Sequence, residues 1–326
     1  MPPTPPPPPQ SAIAIVGAGA VGSYFGALLA LAGQRVMLIG RQPHVQAVRR
    51  QGLALLRDGS RSTLHPEAST ELAAVRGAGL VLVCVKAGDT EAVAQALAPL
   101  LDADTLVLSL QNGVQNVATL ARHLRQPVLP VVVYAATALP APGVVQHFGG
   151  HEVVIGPAGA PGAAGEGTQA PSPSPAQLQA VAALFTGAGV TVRLTADAMP
   201  ALWAKLVVNC ACNAVSALAQ ASYAQMAALP AVQALQRAVV QEAVAVANAE
   251  GHVLSLDAML AAVARIATTM PAQRSSTAQD LARGRPTEIT QLNGHVVRRG
   301  AALGISTPVN QALLALVQLA ELSAPR

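Results

Sequence analysis

Aromatic side chains are almost missing from this chain: its 326 residues include three Phe, three Tyr and one Trp, 2% in all. The apolar content, 52%, is therefore nearly all aliphatic, and alanine alone supplies about a fifth of the chain, a composition suited to helices packed closely on small side chains. Charge is scarce too, at 11%. Twenty basic residues against 16 acidic ones leave +4, and apart from short pairs such as Arg49-Arg50 and Arg298-Arg299 the basic residues are scattered. Without a basic patch or stripe, nucleic acid is excluded as a partner. Three cysteines, Cys84, Cys210 and Cys212, are too few for a disulfide framework and point to a reducing cytoplasm.

One apolar run, residues 12–33, is long enough on paper to span a bilayer. Glycines at 17, 19, 22 and 26 interrupt it, and the preceding MPPTPPPPPQ lacks the positive region of a signal peptide, so a soluble protein with no membrane contact is expected.

The length suggests about two domains. Residues 1–10 read as a disordered proline-rich tail. From Ser11, short β-branched runs alternate with helical segments, the pattern of a parallel sheet buried on both faces. VVQHFGG and HEVVIGP read as a closing antiparallel pair, and residues 157–175, rich in Pro, Gly and Ala, as a surface insertion. Past about residue 196 the alternation stops and long Ala/Leu/Val/Gln stretches take over. The expectation is an α/β dinucleotide-binding domain over 11–195 followed by an all-α domain over 196–326.

The motif Gly17-Ala18-Gly19-Ala20-Val21-Gly22 follows the strand AIAIV and opens a helix. Gly17 permits the tight turn, Gly19 lets backbone amides approach a pyrophosphate, and Gly22 lets the helix sit close to the strand. The helix N-terminus adds the positive end of its dipole. About twenty residues on, where an NAD-binding domain usually places an acid on the ribose, the chain has Gly40-Arg41. A small residue followed by arginine leaves room for a 2′-phosphate and offers it a bidentate partner, so NADP(H) is the expected cofactor. Lys86 and Asn112-Gly113 fall at the carboxyl ends of two further strands, the edge where open α/β sheets bind ligands.

Lys205, Asn209 and Asn213 recur at i, i+4 and i+8 and share one helical face, while no charged residue occurs from 206 to 236. Polar groups on so apolar a helix need polar partners, and a lysine in a partly dry site can act as a general acid with a lowered pKa. A structural hydrogen-bond network is the plainer alternative. In the segment 275–289, Ser276 reads alone as a helix N-cap, and Pro286-Thr287-Glu288 as a helix start whose glutamate favours the dipole.

Taken together, GAGAVG, VKAGD, LQNGV, LWAKLVVNCACNAVSAL, SSTAQDLARGRPTEITQLNG and GISTPVN, in that order, resemble the ketopantoate reductase (2-dehydropantoate 2-reductase) family over residues 12–321. The resemblance implies a Rossmann-type domain joined to an all-helical domain like the C-terminal domain of 6-phosphogluconate dehydrogenase, with the active site between them. It implies NADPH-dependent reduction of 2-dehydropantoate to (R)-pantoate, on the way to pantothenate and coenzyme A. Position by position, it makes Lys205 the proton donor and Glu288 an active-site acid near cofactor and substrate. Asn112, Asn209, Asn213 and Ser276 become substrate-binding residues. Lys86, Asn112 and Ala136 join Gly17, Ala18, Gly19, Ala20, Val21, Gly22 and Arg41 in the cofactor set.

Tyr223 and Gln273 stand where the family commonly has asparagine, which alters the pocket and admits another branched or aryl 2-oxo acid as substrate. A non-catalytic NADP(H)-binding redox sensor would need only the glycine loop and Arg41. His147 and His151 lack a third ligand nearby, so no metal is expected. Cys210 and Cys212 point different ways on a helix and read as core residues. The long Ala-rich helices are compatible with a homodimer.

Overall fold

A computed structural model describes residues 12–159 and 171–323. The proline-rich tail and the centre of the 157–175 insertion lie outside the described residues. The residues up to Gln111 and from Asn116 to Ala198 form one compact unit; Asn112–Gln115 with the residues from Met199 onward form a second.

The first unit is built on β1 (Ala12–Val16), β2 (Val36–Ile39), β3 (Leu53–Arg57), β4 (Ser60–Leu64), β5 (Glu67–Ser69), β6 (Ala78–Val83), β7 (Leu106–Ser109), β8 (Val128–Ala141), β9 (Val144–Ile155) and β10 (Thr191–Leu194). Its helices are α1 (Ala20–Leu31), α2 (Gln42–Gln51), α3 (Thr90–Leu97), α4 (Asn116–His123) and α5 (Pro175–Gly187). The sheet order is β4-β3-β9-β8-β7-β6-β1-β2-β5, with β10 also paired to β9. The run β5-β2-β1-β6-β7-β8 is parallel throughout. Ranked by chain position, those six strands stand in the order 3-2-1-4-5-6 of a dinucleotide-binding sheet, with the switch point between β1 and β6.

Alternation within β1 explains why the strand reads as one unbroken apolar run. Ile13 and Ile15 join Phe25, Leu28 and Leu38 in a core on one face, whereas Ala14 and Val16 join Val81, Val83 and Leu120 on the other. Both faces are dry, so neither needs a polar residue. Gly26 of α1 has no room for a side chain, since a Cβ would come 2.7 Å from Leu38 Cδ2. The apolar run over 12–33 is thus a strand, a turn and a helix lying on the sheet.

VVQHFGG and HEVVIGP are not a pair of strands. They form the single strand β9, whose antiparallel partner is β8. Gly149 (φ 139°) and Gly150 (φ 72°) mark an irregularity in register opposite Tyr134–Ala136, so the glycines bulge the strand without ending it.

The second unit is helical: α6 (Met199–Ala219), α7 (Tyr223–Ala227), α8 (Pro230–Ala249), α9 (Leu256–Thr269), α10 (Ser276–Ala282), α11 (Asn293–Leu303) and α12 (Pro308–Ser323). α6 packs against α7, α8, α9, α10 and α12. It is also long and apolar enough to cross a bilayer, yet 67% of its apolar window is buried against protein, as in the core helix of a folded domain. Cys210 and Cys212 are buried within it, both thiols free. Asn293 and Asn310 lock the helices around it: Asn293 Nδ2 donates to Cys210 O and Asn310 Oδ1, and the Glu242 carboxylate accepts both Nδ2 and the backbone N–H of Asn310.

Candidate active site

In the first unit the glycine-rich turn sits at the carboxyl end of β1. Gly17 has φ 97°, and a Cβ there would come 2.6 Å from Val85 N and 2.7 Å from Cys84 C, so the turn after β1 is pressed against the turn after β6. Gly22 has no space either, because its Cβ would lie 2.3 Å from Gly17 O. Gly19 differs from both. A Cβ there would meet only Gly17 O, at 4.0 Å. No protein atom forbids a side chain at 19, so the open space over it suits a ligand that approaches the backbone closely. Gly19 caps α1, and the amides of Ala20, Val21 and Gly22 open the helix with no earlier turn to bond to. Donors, dipole and free space fit a pyrophosphate.

At the end of β2, a Cβ on Gly40 would come 2.9 Å from that of Ala18. Arg41 follows, exposed, as the N-cap residue of α2. Lys86 occupies the turn after β6, immediately before a short 3-10 turn over Ala87–Asp89. A buried amide-hydroxyl network holds this turn. Gln111 Nε2 donates to Val85 O (3.1 Å) and to Thr90 Oγ1 (2.7 Å), and Thr90 Oγ1 lies 2.9 Å from both Ala87 O and Asn116 Oδ1. The sequence reading passed over Gln111 and Thr90; their signal was a polar residue just past the apolar strand β7 and another at the start of α3. Ala136, partly buried in β8, pairs with Gly149.

In the second unit the expected polar line runs along α6. Lys205 and Asn209 keep some accessible surface and Asn213 is buried. Burial lowers the Lys205 pKa to about 8, and the Glu288 carboxylate opposes that shift by favouring the ammonium. Glu288 Oε2 also accepts a hydrogen bond from Asn112 Nδ2 at 3.2 Å. The structure therefore brings together Asn112, Glu288 and Lys205, which are far apart in the chain.

Pro286-Thr287-Glu288 is not a helix start. Glu288 lies at the head of a turn that leads into α11, its carbonyl accepting from Gln291 N and Leu292 N, and the helix itself begins only at Asn293. Its carboxylate is thus explained by Lys205 and Asn112 and not by a helix dipole. Ser276 is not an N-cap either. Ser275 caps α10 by accepting from Ala278 N, while its hydroxyl lies 3.2 Å from Asn213 O. Ser276 is the exposed first residue of that helix, adjacent in sequence to this link to α6.

Residues 13–160 match the family model for ketopantoate reductase PanE/ApbA, and 197–321 match the model for its C-terminal part. The chain belongs to this family. It is 35% identical over 314 residues to the 2-dehydropantoate 2-reductase of Halobacterium salinarum, an alignment covering 95% of this chain and 98% of that one. Among solved structures, a PanE/ApbA family ketopantoate reductase from Ralstonia eutropha JMP134 superposes with a TM-score of 0.87 at 47% identity, covering 96% of this chain and 99% of the other. A D-mandelate dehydrogenase in ternary complex with NADH and anilino(oxo)acetate superposes with a TM-score of 0.85 at 25% identity, with the same coverage. Membership makes the chain a dinucleotide-dependent oxidoreductase with a Rossmann-type domain and a helical one.

Proposed function

We propose that this family member reduces 2-dehydropantoate to (R)-pantoate with NADPH, in a reducing cytoplasm, and that the first unit holds most of the cofactor while the second handles substrate and proton. The observation that carries the reading is Lys205: an ammonium on an otherwise uncharged stretch of helix, its pKa lowered by burial and supported by a carboxylate that is itself held by Asn112.

The turn Gly17-Ala18-Gly19-Ala20-Val21-Gly22 would receive the pyrophosphate, Arg41 the 2′-phosphate, and Lys86, Asn112 and Ala136 further parts of the dinucleotide. When bound, the cofactor supplies a hydride to the C2 carbonyl carbon. Lys205, protonated below about pH 8, stabilises the negative charge that develops on the carbonyl oxygen and gives up its proton to it. Asn209 and Asn213, one and two turns along the same face, hold the polar groups of the substrate. Ser276 takes part in binding the carboxylate. Glu288 keeps Lys205 charged and, through Asn112, spans the cofactor and substrate roles.

A second reading, reduction of another branched or aryl 2-oxo acid, is favoured by Tyr223 and Gln273. The two are joined by a hydrogen bond from Tyr223 N to Gln273 O at 2.9 Å. The likeness to a D-mandelate dehydrogenase supports the same direction. NADPH oxidation is to be followed with 2-dehydropantoate beside branched and aryl 2-oxo acids, and with NADH in place of NADPH. The expected result is the highest kcat/KM with 2-dehydropantoate and NADPH; a faster aryl acid transfers the assignment to the second reading.

A further inference from the structure

A buried polar chain in the first unit ends on the glycine-rich turn. His44, in α2, is 8% exposed and Ser23, in α1, is fully buried. His44 Nδ1 accepts the backbone N–H of Gly143 at 3.1 Å. A ring nitrogen that accepts from an amide carries no proton, so the neutral imidazole has its proton on Nε2. Nε2 lies 3.1 Å from Ser23 Oγ, and Ser23 Oγ donates to Ala18 O at 3.2 Å. Every proton in the chain then has one direction: Gly143 N–H to Nδ1, Nε2–H to Ser23, and Ser23 O–H to Ala18. Burial lowers the His44 pKa, which keeps the ring neutral.

The two ends of the chain are tightly placed. Gly143 occupies the turn between β8 and β9 with φ 74°, and a Cβ on it would come 3.0 Å from that of Ala47 on α2. Ala18 lies inside the glycine-rich turn, its N–H donating to Ile39 O at 2.9 Å and its Cβ against Gly40. The backbone of His44 also reaches the residue before its helix, with His44 N donating to Arg41 O at 3.1 Å. One imidazole therefore ties the start of α2 to the β8–β9 turn, through Gly143, and to the turn that would cradle the pyrophosphate, through Ser23.

We infer that His44, acting through Ser23, is a positioning residue for the dinucleotide: it fixes the Ala18 peptide and the start of α2 in the geometry that binds NADPH. The inference rests on the cofactor reading given above. The deciding experiment is direct titration of NADPH onto the full chain, with nicotinamide fluorescence as readout, for wild type, Ser23→Ala, His44→Phe, the double variant and His44→Gln. Ser23→Ala and His44→Phe are each expected to raise the NADPH Kd by roughly tenfold, about the worth of one buried hydrogen bond. The double variant should be no weaker than the worse single, because one chain is cut twice. His44→Gln, whose amide N–H can replace Nε2–H, should recover part of the loss, and kcat at saturating NADPH should stay near that of wild type in every variant, because none of the chain's hydrogen bonds involves Lys205, Glu288 or Asn112. Ser23→Ala removes a single oxygen, so it answers the question even where His44→Phe fails to fold. An unchanged Kd in folded Ser23→Ala, or effects of the two variants that add, overturns the inference. Wild type that binds no dinucleotide overturns the cofactor reading and this inference with it.

Discussion

The two units meet the demands of chemistry by opposite means. In the first, the candidate site is backbone: a turn whose glycines are set by the approach of Val85, Cys84 and the turn's own carbonyl, with Gly19 left open for a ligand. In the second it is side chains on α6, whose spacing of four residues brings a lysine and two asparagines to one face, completed by Glu288 and Asn112 from other segments. A backbone site fails through shape and a side-chain site through chemistry. Substitutions in the two units should therefore separate into losses of folding or cofactor binding and losses of turnover.

The largest separation is expected at Lys205. Lys205→Ala should lower kcat by about 10²–10⁴-fold, the range for a lost general acid, while the NADPH Kd measured by titration stays near that of wild type. Equal losses in Kd and kcat would remove the distinction between the units. Next come the glycines. Gly22→Ala drives a Cβ to 2.3 Å from Gly17 O and should destabilise the fold by more than about 2 kcal/mol in thermal or urea unfolding. Gly19→Ala, which meets no atom closer than 4.0 Å, should unfold like wild type and lose NADPH affinity. If the two variants behave alike, Gly19 has no ligand to answer to.

The smallest effect is a displacement of a pH profile. An acid must be protonated to donate, so reduction should fall as pH rises through the Lys205 pKa of about 8. Glu288 favours the charged lysine, and Glu288→Gln should move this basic limb to lower pH as well as reduce the rate. A limb that stays in place, or moves up, would detach Glu288 from Lys205.

How much of this was legible follows from the physics of each element. The glycine-rich turn was readable because all its determinants are local: an apolar strand, three glycines and the start of a helix within eleven residues. Lys205, Asn209 and Asn213 were readable because a helix repeats every 3.6 residues. The β3–β4 hairpin went unread although Asp58-Gly59, both with positive φ, is a strong hairpin signal between strand-forming runs. Gly149 and Gly150 read as a strand end because glycine usually weakens strands, whereas β8 continues alongside and turns them into a bulge. The contact between Asn112 and Glu288 joins residues 176 positions apart and has no local signature at all.

Gly40 limits how this molecule can change its choice of nucleotide. With Ala18 Cβ 2.9 Å from any side chain placed there, the position closing β2 is frozen by the phosphate turn itself, and the next free position is 41. A lineage or an engineer seeking a different ribose partner has to work outward from Arg41, because an acid introduced one residue earlier would dislodge the loop it was meant to serve.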